Sequence, residues 1–179
     1  MVEPAYRRPE KVLVFLYRMP PGAPSAHPSQ GHGKGQQEAI EYLLLQRHPE
    51  RTESGDIWQA VVGNVRWEEA RIEAVRREVS QETGLTLDGE VWATGYSFSY
   101  SLRLHADQES WYAPAVTAIR NIVYASQVVD HRSISLCPEH VDYGWFAYAN
   151  ALEKLYWAEE KQALSRLHPM IARQTRSGR

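Results

Sequence analysis

Cysteine is almost absent from this chain, and so is any excess of charge. One cysteine, Cys137, stands among 179 residues. It excludes an internal disulfide and a cysteine-rich metal site. Nothing beside it in the sequence marks an activated thiol, so it reads as a small buried side chain rather than a nucleophile. This cysteine usage fits a reducing cytoplasm, the compartment expected here. Acidic and basic residues nearly cancel, with a net charge of −2 and a pI of about 6.4. There is therefore no bulk attraction toward nucleic acid or an anionic membrane. An anionic substrate must be drawn by local cations or by a metal. No apolar run approaches the ~20 residues of a membrane-spanning helix. The run Val12 to Tyr17 is too short for the apolar core of a signal peptide.

What is present is an ordinary globular composition, 43% hydrophobic, and enough length for one domain with a sizeable core. We expect that domain to span 1–179. Lys11 to Met19, rich in Val, Leu and Phe, reads as a buried strand. Residues 20–37 carry Pro, Gly, Ser, His and Gln and read as a flexible insertion, with His27 and His32 solvent-exposed rather than metal-bound. Glu41 to His48 reads as the next strand and Ile57 to Val65 as a third apolar segment, with Arg47 and Arg51 either in reach of an anion or ordinary surface charge. After a central helix come Glu90 to Tyr100, then a mixed loop over Leu102 to Pro114. A strand at Ala118 to Val129 follows, then a turn from His131 to Pro138 and a short aromatic strand from Tyr143 to Tyr148. Leu152, Leu155, Tyr156, Ala163, Leu164 and Leu167 give Ala151 to His168 helical spacing, as one broken helix or two consecutive ones. Pro169 is expected to stop or kink it, and 173–179 to be a frayed basic tail. Strands, helix, strands and helix make an α+β or layered α/β/α arrangement.

The chemistry concentrates between Gly63 and Leu85. A glycine loop opens the stretch, an amphipathic acidic helix follows, and Gly84 is placed to stop it. Ile72, Val75 and Val79 fall on one stripe. Glu78 and Glu82 are i and i+4, about 40° apart, and Gln81 lies on the other flank of Glu78. Like charges at this spacing cost a few tenths of a kcal/mol in an isolated helix. A hard divalent cation offsets that cost, since Mg²⁺ is commonly held by one or two carboxylates together with substrate phosphates. A plain solvated face is the other reading, and on this pattern alone the commoner one.

The whole spacing resembles the Nudix box, G-x5-E-x7-R-E-U-x-E-E-x-G-U with U apolar. Gly63, Glu69, Arg77, Glu78, Val79, Glu82, Gly84 and Leu85 stand on the pattern. Gln81 stands where the first acid of the paired Glu-Glu belongs. The resemblance implies the Nudix fold, a mixed β-sheet sandwiched between helices. It implies hydrolysis of a nucleoside diphosphate linked to another group, by water attacking phosphorus with Mg²⁺, or Mn²⁺ as substitute, holding the pyrophosphate. It places metal ligands at Glu78, Glu82 and the carbonyl of Gly63, with Arg77 orienting Glu78 and Glu69 bracing Arg77. At Gln81 an amide oxygen still coordinates but carries no charge. That implies weaker metal binding, one ion fewer, or a role for another acid. Glu139 is the candidate general base outside the box, with His140 as the alternative and two exposed loop residues as the plain reading.

A second resemblance, inside that family, is to bacterial dihydroneopterin triphosphate pyrophosphatases. It rests on Tyr6-Arg7-Arg8-Pro9, Leu43-Leu44-Leu45-Gln46-Arg47, Trp58-Gln59, Tyr112-Ala113-Pro114, and Glu139-His140 with Tyr143 and Trp145. It implies a pterin or nucleoside triphosphate as the small-molecule partner; charge and composition indicate no nucleic acid or membrane partner, and a homodimer stays open. Trp58, Trp111 and Tyr112 are candidates to stack on a flat heterocycle, worth about 1–3 kcal/mol per ring, or else pack in the core. Arg47 is a candidate substrate contact. Two other readings remain open at this point. One is a nucleotide-binding module that Gln81 has silenced. The other is a hydrolase of dinucleoside polyphosphates, nucleotide sugars or capped RNA ends. The proline that typically follows the box by about fifteen residues in the ADP-ribose subgroup is replaced by Phe98-Ser99-Tyr100-Ser101.

Overall fold

A computed structural model describes residues 6–19, 40–51, 56–104, 106–129 and 133–177. The insertion at 20–37, with His27 and His32, lies outside the described residues, as does the side chain of Arg51. The frame is a seven-stranded mixed sheet. Its centre is β1 (Glu10–Arg18), in which Val12 to Leu16 are at most 1% exposed. A strand this apolar on both faces must be covered on both. Leu13, Phe15 and Tyr17 enter one core cluster, and Val12, Val14 and Leu16 the other, as a period of two requires.

The strands order around β1. β2 (Glu41–Arg47) pairs antiparallel with its end, and β3 (Trp58–Gln59) pairs with β2. β4 (Val61–Asn64) runs antiparallel to the start of β1, placing Gly63 opposite Val12. β6 (Ala118–Gln127) lies parallel to β1 over its length, and β5 (Val91–Ser101) pairs antiparallel with β6. β7 (His140–Ala147) pairs antiparallel with β2, bringing His140 opposite Arg47.

Helices cover both faces. α1 (Arg71–Thr83) packs Ala74, Val75 and Val79 on the Val12, Val14 and Leu16 side. α2 (Tyr148–Lys154) and α3 (Ala158–Ser177) bury Ala151, Leu164, Leu167 and Ile171 against Leu13 and Phe15. This is the mixed sheet between helices that the sequence led us to expect. No helix among the described residues is long and apolar enough to cross a membrane.

Four details differ from the sequence reading. The apolar run Ile57 to Val65 is two strands broken at Ala60. Ile72, in the first turn of α1, is 38% exposed, and Ala74 takes its place in the core. The loop Leu102 to Pro114 contains 3₁₀ turns at Leu102–Leu104 and Ala106–Trp111. The last helix neither stops at Pro169 nor frays at Arg173, but continues to Ser177.

Candidate active site

The site is assembled where β4 enters the loop before α1. Ala70 begins the helix, and the Glu73 carboxylate accepts the Ala70 N–H at 2.9 Å. That satisfies a donor left over at the helix start. Gly84 ends it at φ 70°, its N–H donating to Ser80 O at 2.9 Å, a left-handed cap that favours glycine.

Within this frame Arg77 ties four groups together. Its Nε and Nη2 donate to the two oxygens of Glu69, at 2.7 and 2.9 Å. Nη2 also donates to the Asn64 carbonyl at 2.8 Å. Nη1 donates to Glu78 Oε1 at 2.6 Å and to Gln81 Oε1 at 3.1 Å. Such a two-pronged guanidinium–carboxylate pair fixes geometry as well as charge. Glu69 closes the loop on itself by accepting Arg66 N–H at 2.9 Å. The Arg77 guanidinium holds the Glu69 carboxyl below the usual range. Burial pushes Glu78 the other way, with the Arg77 hydrogen bond opposing it.

Glu78 also lies against Gly63. A Cβ at position 63 would stand 1.8 Å from Glu78 Cδ, so only glycine lets this strand and this carboxylate approach. Asn64 joins the arrangement from its other end, accepting the Tyr112 hydroxyl on Oδ1 at 3.2 Å. The sequence reading had given Asn64 no part. Its position next to the box glycine was the available signal.

Glu82 is the site's unusual group. It is 7% exposed, so it does not belong to a solvated helix face. Burial raises its carboxyl well above the usual range, with the charges of Glu78 and Glu139 pushing the same way. The Val62 backbone and the Arg47 charge oppose them. One oxygen, Oε2, is buried without a hydrogen-bond partner among the described residues. Burying such an oxygen is costly. His140 Nε2 lies 3.9 Å from that oxygen.

The segment after Ile134 packs on the end of α1, with Ser135 N–H donating to Thr83 O at 2.9 Å. It leads to Glu139, which is exposed and whose charge acts on Glu82, and to buried His140. Cys137 Sγ lies 3.5 Å from His140 Nδ1, and burial raises its thiol rather than activating it.

The expected substrate residues are not gathered as one open surface. Arg47 lies at the end of β2, opposite His140. Trp58 is partly buried, edge-on to Phe146 at 5.4 Å and covered by Lys154 Nζ at 4.6 Å. Tyr112 is 2% exposed, so its ring is core and offers no stacking face. Trp111 is exposed, with the Arg7 guanidinium 4.1 Å over its ring.

The donors suit a hard cation of the Mg²⁺ type. They are two carboxylates one turn apart, one with a buried oxygen unpartnered among the described residues, beside a strand whose glycine admits close approach. Gln81 is exposed and turned to Arg77. Among the described residues no three His, Cys, Asp or Glu side chains form a cage, so a cation held here would take further oxygens from substrate or water.

A NUDIX domain model matches residues 32–167. Several solved structures share the fold. The dihydroneopterin triphosphate pyrophosphohydrolase of E. coli is 23% identical, with a TM-score of 0.65, covering 91% of this chain and 97% of its own. A Listeria monocytogenes protein assigned as a NUDIX hydrolase is 21% identical, with a TM-score of 0.69 and coverage of 93% and 97%. An Ap4A hydrolase of C. elegans is 18% identical, with a TM-score of 0.58 and coverage of 91% and 97%. No curated protein matches the chain.

Proposed function

This chain belongs to the Nudix family, hydrolases of phosphoric anhydride bonds in nucleoside diphosphate-X compounds, and on that premise we propose that it is a Mg²⁺-dependent pyrophosphohydrolase. Its substrate is a nucleoside triphosphate-like molecule, dihydroneopterin triphosphate or a (deoxy)nucleoside triphosphate, cleaved to the monophosphate and pyrophosphate. The observation that carries this reading is Glu82, a buried carboxylate one turn from Glu78 with an oxygen that no donor among the described residues meets. The likeness of fold to the E. coli pyrophosphohydrolase supports the choice of substrate class.

A divalent ion held by Glu78, Glu82 and the Gly63 carbonyl would supply charge neutralisation on the phosphates and a more acidic water. The chain's own groups do the rest. Arg77 keeps one oxygen of Glu78 fixed, and Glu69 keeps Arg77 fixed. Arg47 adds positive charge beside Glu82. Glu139, exposed and with its charge acting on Glu82, is the base that takes the proton from the attacking water. Positioning and electrostatics supply most of the acceleration in such a transfer.

Pyrophosphate release with Mg²⁺ over a panel of pterin and nucleoside triphosphates tests this. Glu82→Gln is expected to lower turnover by about 100-fold, the scale of a lost electrostatic group in an active site. Equal turnover in that variant would refute the site.

A second reading is favoured by Gln81, whose neutral amide faces Arg77: the chain binds its nucleotide without cleaving it. Calorimetry showing tight binding with no product, and activity appearing only in Gln81→Glu, would establish that alternative. A mere rise in an existing rate supports the hydrolase.

A further inference from the structure

Glu160 is a buried carboxyl that the proposed chemistry does not use. It sits in the first turn of α3, far in sequence from the box, and is 5% exposed. Its Oε2 accepts the Ala60 N–H at 3.0 Å. Ala60 is the single residue between β3 and β4. The pairing of β3 with β2 ends at Gln59, and that of β4 with β1 begins at Val61. The carboxyl therefore supplies the Ala60 N–H with an acceptor at the break between the two ladders. The same junction of α2 and α3 also holds Trp58. Tyr156 N–H donates to Trp58 O at 3.0 Å, and Leu155 bridges Trp58 in parallel.

Two lines connect this latch to the box. Gly63 lies three residues beyond Ala60, on a strand packed so closely on Glu78 that no Cβ fits between them. A small displacement of that strand would displace the carboxylate. Secondly, the positive charge of Arg47 acts on both Glu82 and Glu160.

We propose that Glu160 is a positioning residue of the hydrolytic site: its bond to Ala60 fixes the β3–β4 break and so the seating of Gly63 against Glu78. This rests on the reading of Gly63 and Glu78 given above. Burial pushes the Glu160 carboxyl up to about 8. The Ala60 N–H opposes that rise, Glu159 of the same helix adds to it, and Arg47 of β2 opposes it. At neutral pH the group is mainly the uncharged acid, and its oxygen serves as an acceptor much as a glutamine amide would.

The test compares Glu160→Gln, which keeps the acceptor, with Glu160→Met, which keeps the length and removes it. In the Met variant, Mn²⁺ affinity and kcat are each expected to fall about tenfold, as when support for a metal ligand is lost. KM should stay within about twofold, because the loss falls on the chemical step rather than on uniform binding. Amides 60–64 should exchange faster with solvent. The Gln variant should keep wild-type values in all four measurements. A folded Met variant with unchanged Mn²⁺ affinity and kcat would overturn the proposal, as would a Gln variant equally impaired. Should the Met variant not fold, the wild-type Ala60 amide decides. Slow exchange is expected, and exchange at the rate of a free peptide refutes the latch. If the wild-type chain hydrolyses no triphosphate, the proposed function fails on its own. Exchange and Mn²⁺ affinity then still decide the role of Glu160.

Discussion

Arg77 shows why single residues matter so much here. It meets Glu69, Glu78, Gln81 and the Asn64 carbonyl at once. Its value lies in fixing one carboxylate against one glycine. Gly63→Ala tests that contact directly. The added methyl would meet Glu78 Cγ and Cδ at 2.2 and 1.8 Å. The Glu78 side chain must then swing away and give up its place on Arg77. We expect a folded protein, by circular dichroism, whose hydrolysis falls by about 100-fold or more, comparable to removal of an active-site electrostatic group. Retention of full activity would show that Glu78 need not sit where it does. The burial of Glu82 has a helical reason that the sequence reading, which set it on a face beside the stripe, did not use. Seven residues past Val75 returns the helix to within about 20° of the same direction; the same count sets Ile72 beside Val79, and its 38% exposure reflects its place in the first turn rather than its angle. The burial of Tyr112 had no such signature, because an aromatic in a loop serves a core or a ligand equally well.

At the scale of the element, α1 is defined by its ends as much as by its stripe. Gly84 holds a left-handed turn at φ 70° close to Ser135, whose Cβ would be 3.1 Å from an added methyl. Gly84→Ala is therefore expected to destabilise the fold by about 1–2 kcal/mol, read as a lower denaturation midpoint in urea. Because the turn also guides the segment that carries Glu139 and His140, Mn²⁺ affinity should weaken in the same variant. An unchanged midpoint would show that the cap is not strained. The sequence located this helix and its stop correctly, since spacing and a glycine signal are local. It took Ile57 to Val65 as one segment, since the lone polar Gln59 before Ala60 does not mark an interruption there. What defines that interruption is a carboxyl a hundred residues later.

For the molecule as a whole, the buried carboxyls give stability a definite dependence on pH. Glu160 has a folded value near 8 against an ordinary value of 4.5. Between those limits the unfolded chain ionises and the folded chain holds its proton. Stability should therefore fall as pH rises from 4.5 to about 8 and level off above. Glu82, also raised, acts in the same sense. Glu10 and Glu69 are lowered by their arginine partners. Their contribution is fully present above the ordinary range and is lost as pH drops through their folded values. Maximum stability is expected on the mildly acidic side of neutrality, by urea denaturation across pH 4–9. Glu160→Gln should flatten the neutral limb and be more stable than wild type at pH 7. A wild-type curve that rises from pH 5 to 8 would contradict the burial of these acids.

The sequence by itself determined the helix of the box, its glycine stop, the apolar central strand and the helix–sheet–helix layering. Those features depend on residues within a few positions of each other and on the periods of helix and strand. Only the tertiary structure decided that Gln81 turns to Arg77 and that Tyr112 is core rather than a stacking face. It also decided that Glu160 closes the strand break at Ala60. Each of those depends on which distant side chain comes to lie alongside, and packing in three dimensions sets that.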